Sequence, residues 1–165
     1  MPSSPSLPSA HRNSVQLQWA DSHLLGLNAL SYGDGRVTLL RIYTVRSDQT
    51  EKFYAFPVAD TTIEGIVKYD DDLWTEIQLH GSQIIVGDTT FRCGEGAMGN
   101  EGFVAATNAD GLLWTLFSTA SNPFQKLEVV GIRLKAYSDC QVYSINLENL
   151  TDIKVQAYDM YSQGI

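Results

Sequence analysis

Three histidines, two cysteines, a run of three aspartates and a glycine-rich hexapeptide are the residues from which this chain could build chemistry. His11, His23 and His80 stand far apart and share no metal-ligand spacing. Cys93 and Cys140 have neither CxxC spacing nor a nearby histidine. They are expected to be reduced, with at least one of them in the core. Asp70-Asp71-Asp72 lacks the alternating ligands, central glycine and closing glutamate of an EF-hand loop. Two readings remain for it, a solvated turn and a partner-facing acidic tip. Gly94-Glu95-Gly96-Ala97-Met98-Gly99 matches G-x-G-x-x-G, but Asn100-Glu101-Gly102 and another strand follow it. A dinucleotide site needs a helix N-terminus for the pyrophosphate, and Glu95 would face the phosphates, so the stretch is read as a wide loop between strands. There is no G-x-S-x-G elbow. No motif compels a reaction, and the expectation is a protein that is not an enzyme and holds no cofactor or metal.

The elements that would position these residues are strands. Candidates fall at 15–19, 23–30, 36–45, 52–58, 63–69, 74–80, 83–86, 89–93, 102–107, 112–117, 126–137, 141–147 and 152–157. The period is two, and no capped 3.6-residue amphipathic stretch stands out. Gly33-Asp34-Gly35, Gly81-Ser82, Gly87-Asp88 and Asn108-Ala109-Asp110-Gly111 read as hairpin turns. Gly131 marks a bulge or bend. The 112–117 strand is apolar on both faces and is expected to be central, with Leu112, Trp114 and Leu116 on one face and Leu113 and Phe117 on the other. In 74–80, Thr75, Ile77 and Leu79 would face the core, and Trp74, Glu76, Gln78 and His80 the solvent. The fold expected is all-β, a single antiparallel sandwich or barrel of roughly 10–12 short strands with little or no helix.

A chain of 165 residues fits one domain. Residues 1–14 are Pro/Ser-rich, with no basic or apolar signal-like region, and are expected to be a loose tail before a domain over 15–165. No apolar run approaches the ~18–20 residues that span a bilayer. A cytoplasmic protein without membrane contact is expected.

The charge is uneven. Between residues 60 and 110 there are ten acids and two bases, a balance of −8; the rest carries nine of each. Such a field repels nucleic acid and anionic membranes and attracts a basic partner. Glu64, Asp70, Asp71, Asp72, Glu76, Glu95 and Glu101 are therefore the candidate partner-binding acids, with Trp74 as an aromatic anchor and His80 beside them.

The stretch Phe91-Arg92-Cys93 through Gly102-Phe103-Val104-Ala105-Ala106, then Leu113-Trp114-Thr115-Leu116-Phe117 and Ser121-Asn122-Pro123-Phe124, resembles bacterial immunity proteins of contact-dependent inhibition and related polymorphic toxin systems. The resemblance covers roughly a third of the chain. It implies a non-enzymatic cytoplasmic inhibitor of one cognate toxin, many such toxins being nucleases with basic surfaces. The alternative is a carbohydrate- or small-ligand-binding β-sandwich, motivated by Trp74 and the other aromatics.

Overall fold

The computed structural model describes residues 14–70 and 72–159. The expected tail falls outside them except for Ser14, and so does Asp71. Of the described residues 63% are in strands and 8% in helices, with antiparallel sheets, so the all-β expectation holds. In chain order the elements are α1 (Ser14–Ala20), β1 (His23–Leu25), β2 (Ala29–Tyr32), β3 (Arg36–Ser47), β4 (Thr50–Thr62), α2 (Ile63–Val67), β5 (Trp74–Glu76), β6 (Gln78–Val86), β7 (Thr89–Glu95), β8 (Gly102–Asn108), β9 (Gly111–Ser118), β10 (Lys126–Val130), β11 (Arg133–Tyr137), β12 (Gln141–Asn146) and β13 (Asn149–Ala157).

Seven strands form one sheet in the order β4-β3-β2-β9-β8-β7-β6, and four form a second in the order β10-β11-β12-β13. The second sheet packs on one face of the first. Val104, Ala106, Trp114 and Leu116 of the large sheet meet Phe124, Leu134, Tyr143 and Ile145 there. The opposite face is covered by α1, α2 and the two-stranded ribbon of β1 and β5, around Phe103, Ala105, Phe117, Val15 and Ile63. The molecule is thus a sandwich with a third, partial layer. Each fully buried phenylalanine such as Phe103 or Phe117 contributes roughly 1.5–3 kcal/mol by leaving water.

β8 and β9 are central and covered on both faces, as the apolar run of β9 predicts. One face assignment is corrected. Ala106 pairs with Trp114 but Thr107 with Leu112, so Leu113 is a bulge residue, 38% exposed. The bulge turns Leu112 into the second core beside Phe117.

Several expected strands are something else. Residues 15–19 form α1. Val15, Leu17 and Trp19 alternate with glutamines, which imitates a strand, yet Val15 and Trp19 pack together on the second core at helical i, i+4 spacing and Leu17 is left 64% exposed. The amide of Gln16 ties the helix down by donating to Gly33 O and Leu112 O and accepting from Leu112 N–H. The 63–69 segment holds α2, whose N-cap Thr62 accepts from Gly65 N–H while Ile63, Ile66 and Val67 face the core. Residues 23–30 divide into β1 and β2, and 126–137 into β10 and β11 around Gly131 at φ 61°.

Segment 74–80 also divides, at buried Ile77, into β5 of the ribbon and β6 of the large sheet. Gly81-Ser82 is no hairpin. It lies inside β6 where the register to β7 shifts between Leu79 and Gln83, and the Ser82 hydroxyl accepts from Leu127 N–H at 3.0 Å, joining the edges of the two sheets. The turns at Gly35, Gly87 and Gly111 are hairpins with positive φ at those glycines.

Candidate functional site

Four of the acids singled out in the sequence, Glu64, Asp70, Asp72 and Glu76, occupy one connection. The chain leaves β4 at one edge of the large sheet and re-enters it as β6 at the other edge, so residues 63–77 cross the whole sheet face. Ile63, Ile66, Val67, Leu73, Trp74 and Ile77 point down into the second core. Glu64, Asp70, Asp72 and Glu76 are exposed on the outside of the same layer. Across 14–25 and 63–77, the two segments that build the layer, six acids face one lysine, Lys68.

His80 and Glu95 meet at the far edge of this layer, Nε2 to Oε1 at 2.8 Å and both about one-third exposed. Beside them a polar cavity of about 310 Å³ opens between Glu76–Gln78 and Glu95–Ala97. Glu76, His80 and Glu95 are therefore brought together, whereas Glu64 lies at the start of the crossover, next to β4. Glu101 is not on this surface. It is 8% exposed and turned into its own loop, where Oε1 accepts from Met98 N–H at 3.2 Å. Trp74 is half-buried against the second core and does not stand clear of the surface.

The glycine-rich stretch is explained by packing. A Cβ on Gly94 would lie 2.0 Å from Gln78 O, one on Gly96 2.3 Å from Glu101 Oε1, and one on Gly102 2.5 Å from Asn122 O. Gly94 and Gly102 are strand positions, and the loop proper spans 96–101. The Ser-Asn-Pro-Phe turn folds onto it. Asn122 N–H donates to Asn100 O and Phe124 N–H to Gly94 O, and Phe124 is fully buried edge-on to Tyr143. The motifs that carry the family resemblance thus form one corner of the core.

Burial pushes the Cys93 thiol up to about 12, and likewise the Tyr143 phenol. Cys140 is exposed, and both cysteines are free thiols. The hydrogen bond from Arg133 holds the Asp152 carboxyl below its ordinary value, helped by Asn146. Among the described residues no group of three or more His, Cys, Asp or Glu could hold a metal ion, and no helix is long and apolar enough to cross a membrane.

A second surface was not anticipated. The β3–β4 hairpin extends past the crossover layer, and among the described residues nothing covers its outer face. Arg41, Tyr43 and Val45 stand opposite Phe56, Tyr54 and Lys52. Tyr43 and Tyr54 stack at 5.0 Å, Phe56 meets Tyr43 edge-on, and the Arg41 guanidinium lies 5.5 Å from the Tyr43 ring centre. The three rings are each 38% exposed. The signal was present as aromatics at alternate positions of two strands joined by a tight turn.

No protein-family model matches the chain, and no curated protein matches it.

Proposed function

We propose that this chain is an immunity-type inhibitor that binds a protein toxin domain with a basic surface through the acidic crossover layer. The observation that carries the reading is that Glu64, Asp70, Asp72 and Glu76 are all exposed along the outside of one layer that has a single lysine. A basic active site covered by such a surface is neutralised by complementary charge, with fast, steered association. The cavity between Glu76 and Glu95 suits an arginine or lysine of the toxin, since carboxylates at its walls accept charge-assisted hydrogen bonds. The resemblance of the Gly94–Phe124 corner to immunity proteins supports the same reading. A carbohydrate-binding role has less to rest on, because Trp74 leans on the core.

The test is a binding screen against basic toxin domains, beginning with products of the neighbouring genes, followed by co-expression with the domain bound and protection measured by cell survival. Charge reversal at Asp70, Asp72, Glu76 and Glu95 is expected to slow association at low salt and abolish protection. Variants that protect as well as the parent, and bind at the same rate, overturn the reading.

A further inference from the structure

The crossover layer and the bare hairpin face lie on the same side of the large sheet. Val37 and Leu39 of β3 sit under the layer; farther along the same strand, Arg41, Tyr43 and Val45 continue that face beyond it. Arg41 and Lys52 are the charged residues of the bare face. Arg46 and Glu51 pair with each other on the opposite face, and none of the paired strand positions on the bare side is a carboxylate, Asp48 lying in the turn. An aromatic, cationic surface is unexpected on a chain of net charge −8. It calls for an aromatic or apolar counterpart carrying carboxylates.

Such a counterpart is present on this chain. Tyr69, just after α2, is 83% exposed, the most exposed large hydrophobic side chain of the described residues; the Lys68 ammonium lies 5.6 Å from its ring centre, and two exposed carboxylates, Asp70 and Asp72, follow it and outweigh that charge. We propose that a second copy of this chain docks on the hairpin face, with Tyr69 and Asp70 of each copy seated on Tyr43, Tyr54 and Arg41 of the other. Because loop and hairpin lie on one side of the sheet, a two-fold axis through that side satisfies both contacts at once, and the assembly closes as a dimer. Nucleic acid, the other polyanion that aromatic and cationic side chains could take, is repelled by the overall charge. The inference does not depend on the toxin reading, although a toxin bound at Asp70 and Asp72 would compete with the second copy.

The experiment is sedimentation of the full chain from low micromolar to millimolar concentration. The mass is expected to rise from 18.2 kDa toward twice that value. Arg41→Glu and Asp70→Lys, each confirmed folded by its thermal transition, are each expected to weaken self-association by at least about tenfold, since like charges then face each other twice. Mixing the two variants is expected to restore the dimer. In the mixed pair one contact sets the two substituted side chains, of opposite charge, against each other, and the other sets the original Arg41 against the original Asp70. A chain that remains monomeric at every concentration overturns the proposal. So does a dimer that ignores both substitutions, or one that mixing fails to restore.

Discussion

Gly94→Ala loads the seam between β6 and β7 more directly than any other single-methyl change. Gly94 pairs with Leu79, and its absent Cβ would lie 2.0 Å from the Gln78 carbonyl oxygen and 2.9 Å from Phe103 Cε1. An ordinary contact begins at 3.4 Å, so the strands must separate by about 1.4 Å, the difference of those two distances. Overpacking costs about 1–3 kcal/mol, and a backbone carbonyl cannot swing aside as a side chain would. The upper end, about 3 kcal/mol, is therefore expected. At about 2–4 °C per kcal/mol for a chain of this size, the melting temperature falls by about 6–12 °C. The same displacement draws His80 away from Glu95, because Gln78 and Glu95 are the next pair along. Differential scanning calorimetry measures the loss. Gly99→Ala is the control, since nothing lies within 4 Å of its Cβ position, and it should stay within about 0.5 kcal/mol of the parent. If Gly94→Ala melts with Gly99→Ala, the packing account of the glycine-rich stretch is refuted.

Tyr143→Phe removes a buried hydrogen bond to Ser118 Oγ of 3.0 Å; about 1–2 kcal/mol should be lost in urea unfolding, with no change in strand content by circular dichroism. Native-state alkylation followed by mass spectrometry should add one label, at Cys140, because Cys93 is buried and held as a thiol; rapid double labelling would contradict this. Asp152 has a folded-state pKa below its ordinary 3.8, so its ion pair with Arg133 stabilises fully above that pH, and the contribution is lost as pH falls through the lower folded value. Asp152→Asn should therefore flatten the acid limb of the stability–pH curve below about pH 4 and leave its alkaline limb unchanged.

The strand content was legible because alternation and turn residues agree along most of the chain, as at Gly87-Asp88 and Asn108–Gly111. Two kinds of feature were not. Short helices escaped because five or seven residues hardly distinguish a period of 3.6 from one of two, and Val15-Gln16-Leu17-Gln18-Trp19 alternates perfectly while folding as a helix. Sheet membership escaped because it is a long-range property. Residues 74–80 read as one strand and 83–86 as the next, yet Ile77 passes the chain from the ribbon to the large sheet and one strand runs through Gly81-Ser82. The acids were identified from count alone. Glu101 shows the limit of counting, since its burial follows from the Met98 N–H it accepts rather than from anything in its sequence neighbourhood. The hairpin aromatics were visible as residues and not as a surface, because exposure there depends on where the crossover layer stops.

That Glu64, Asp70, Asp72 and Glu76 share the outside of one layer follows from topology and packing. Between β4 and β6 lie six inter-strand spacings, about 29 Å at 4.8 Å each, and fifteen residues, 63–77, cover that span. Extended, fifteen residues could reach about 50 Å, so it is their apolar side chains rather than their length that hold the segment against the sheet. Lying there sorts its side chains: Ile63, Ile66, Val67, Leu73, Trp74 and Ile77 are drawn into the core, and the charged residues between them are left facing water. Desolvating a carboxylate against Phe103 or Phe117 would cost several kcal/mol, which enforces the sorting. The acidic surface is thus the outer side of a packed strap, anchored by its own apolar residues. Reversing its exposed charges changes the field without disturbing those anchors, so in the toxin-binding role proposed above the quantity it moves is the rate of association rather than the stability of the fold.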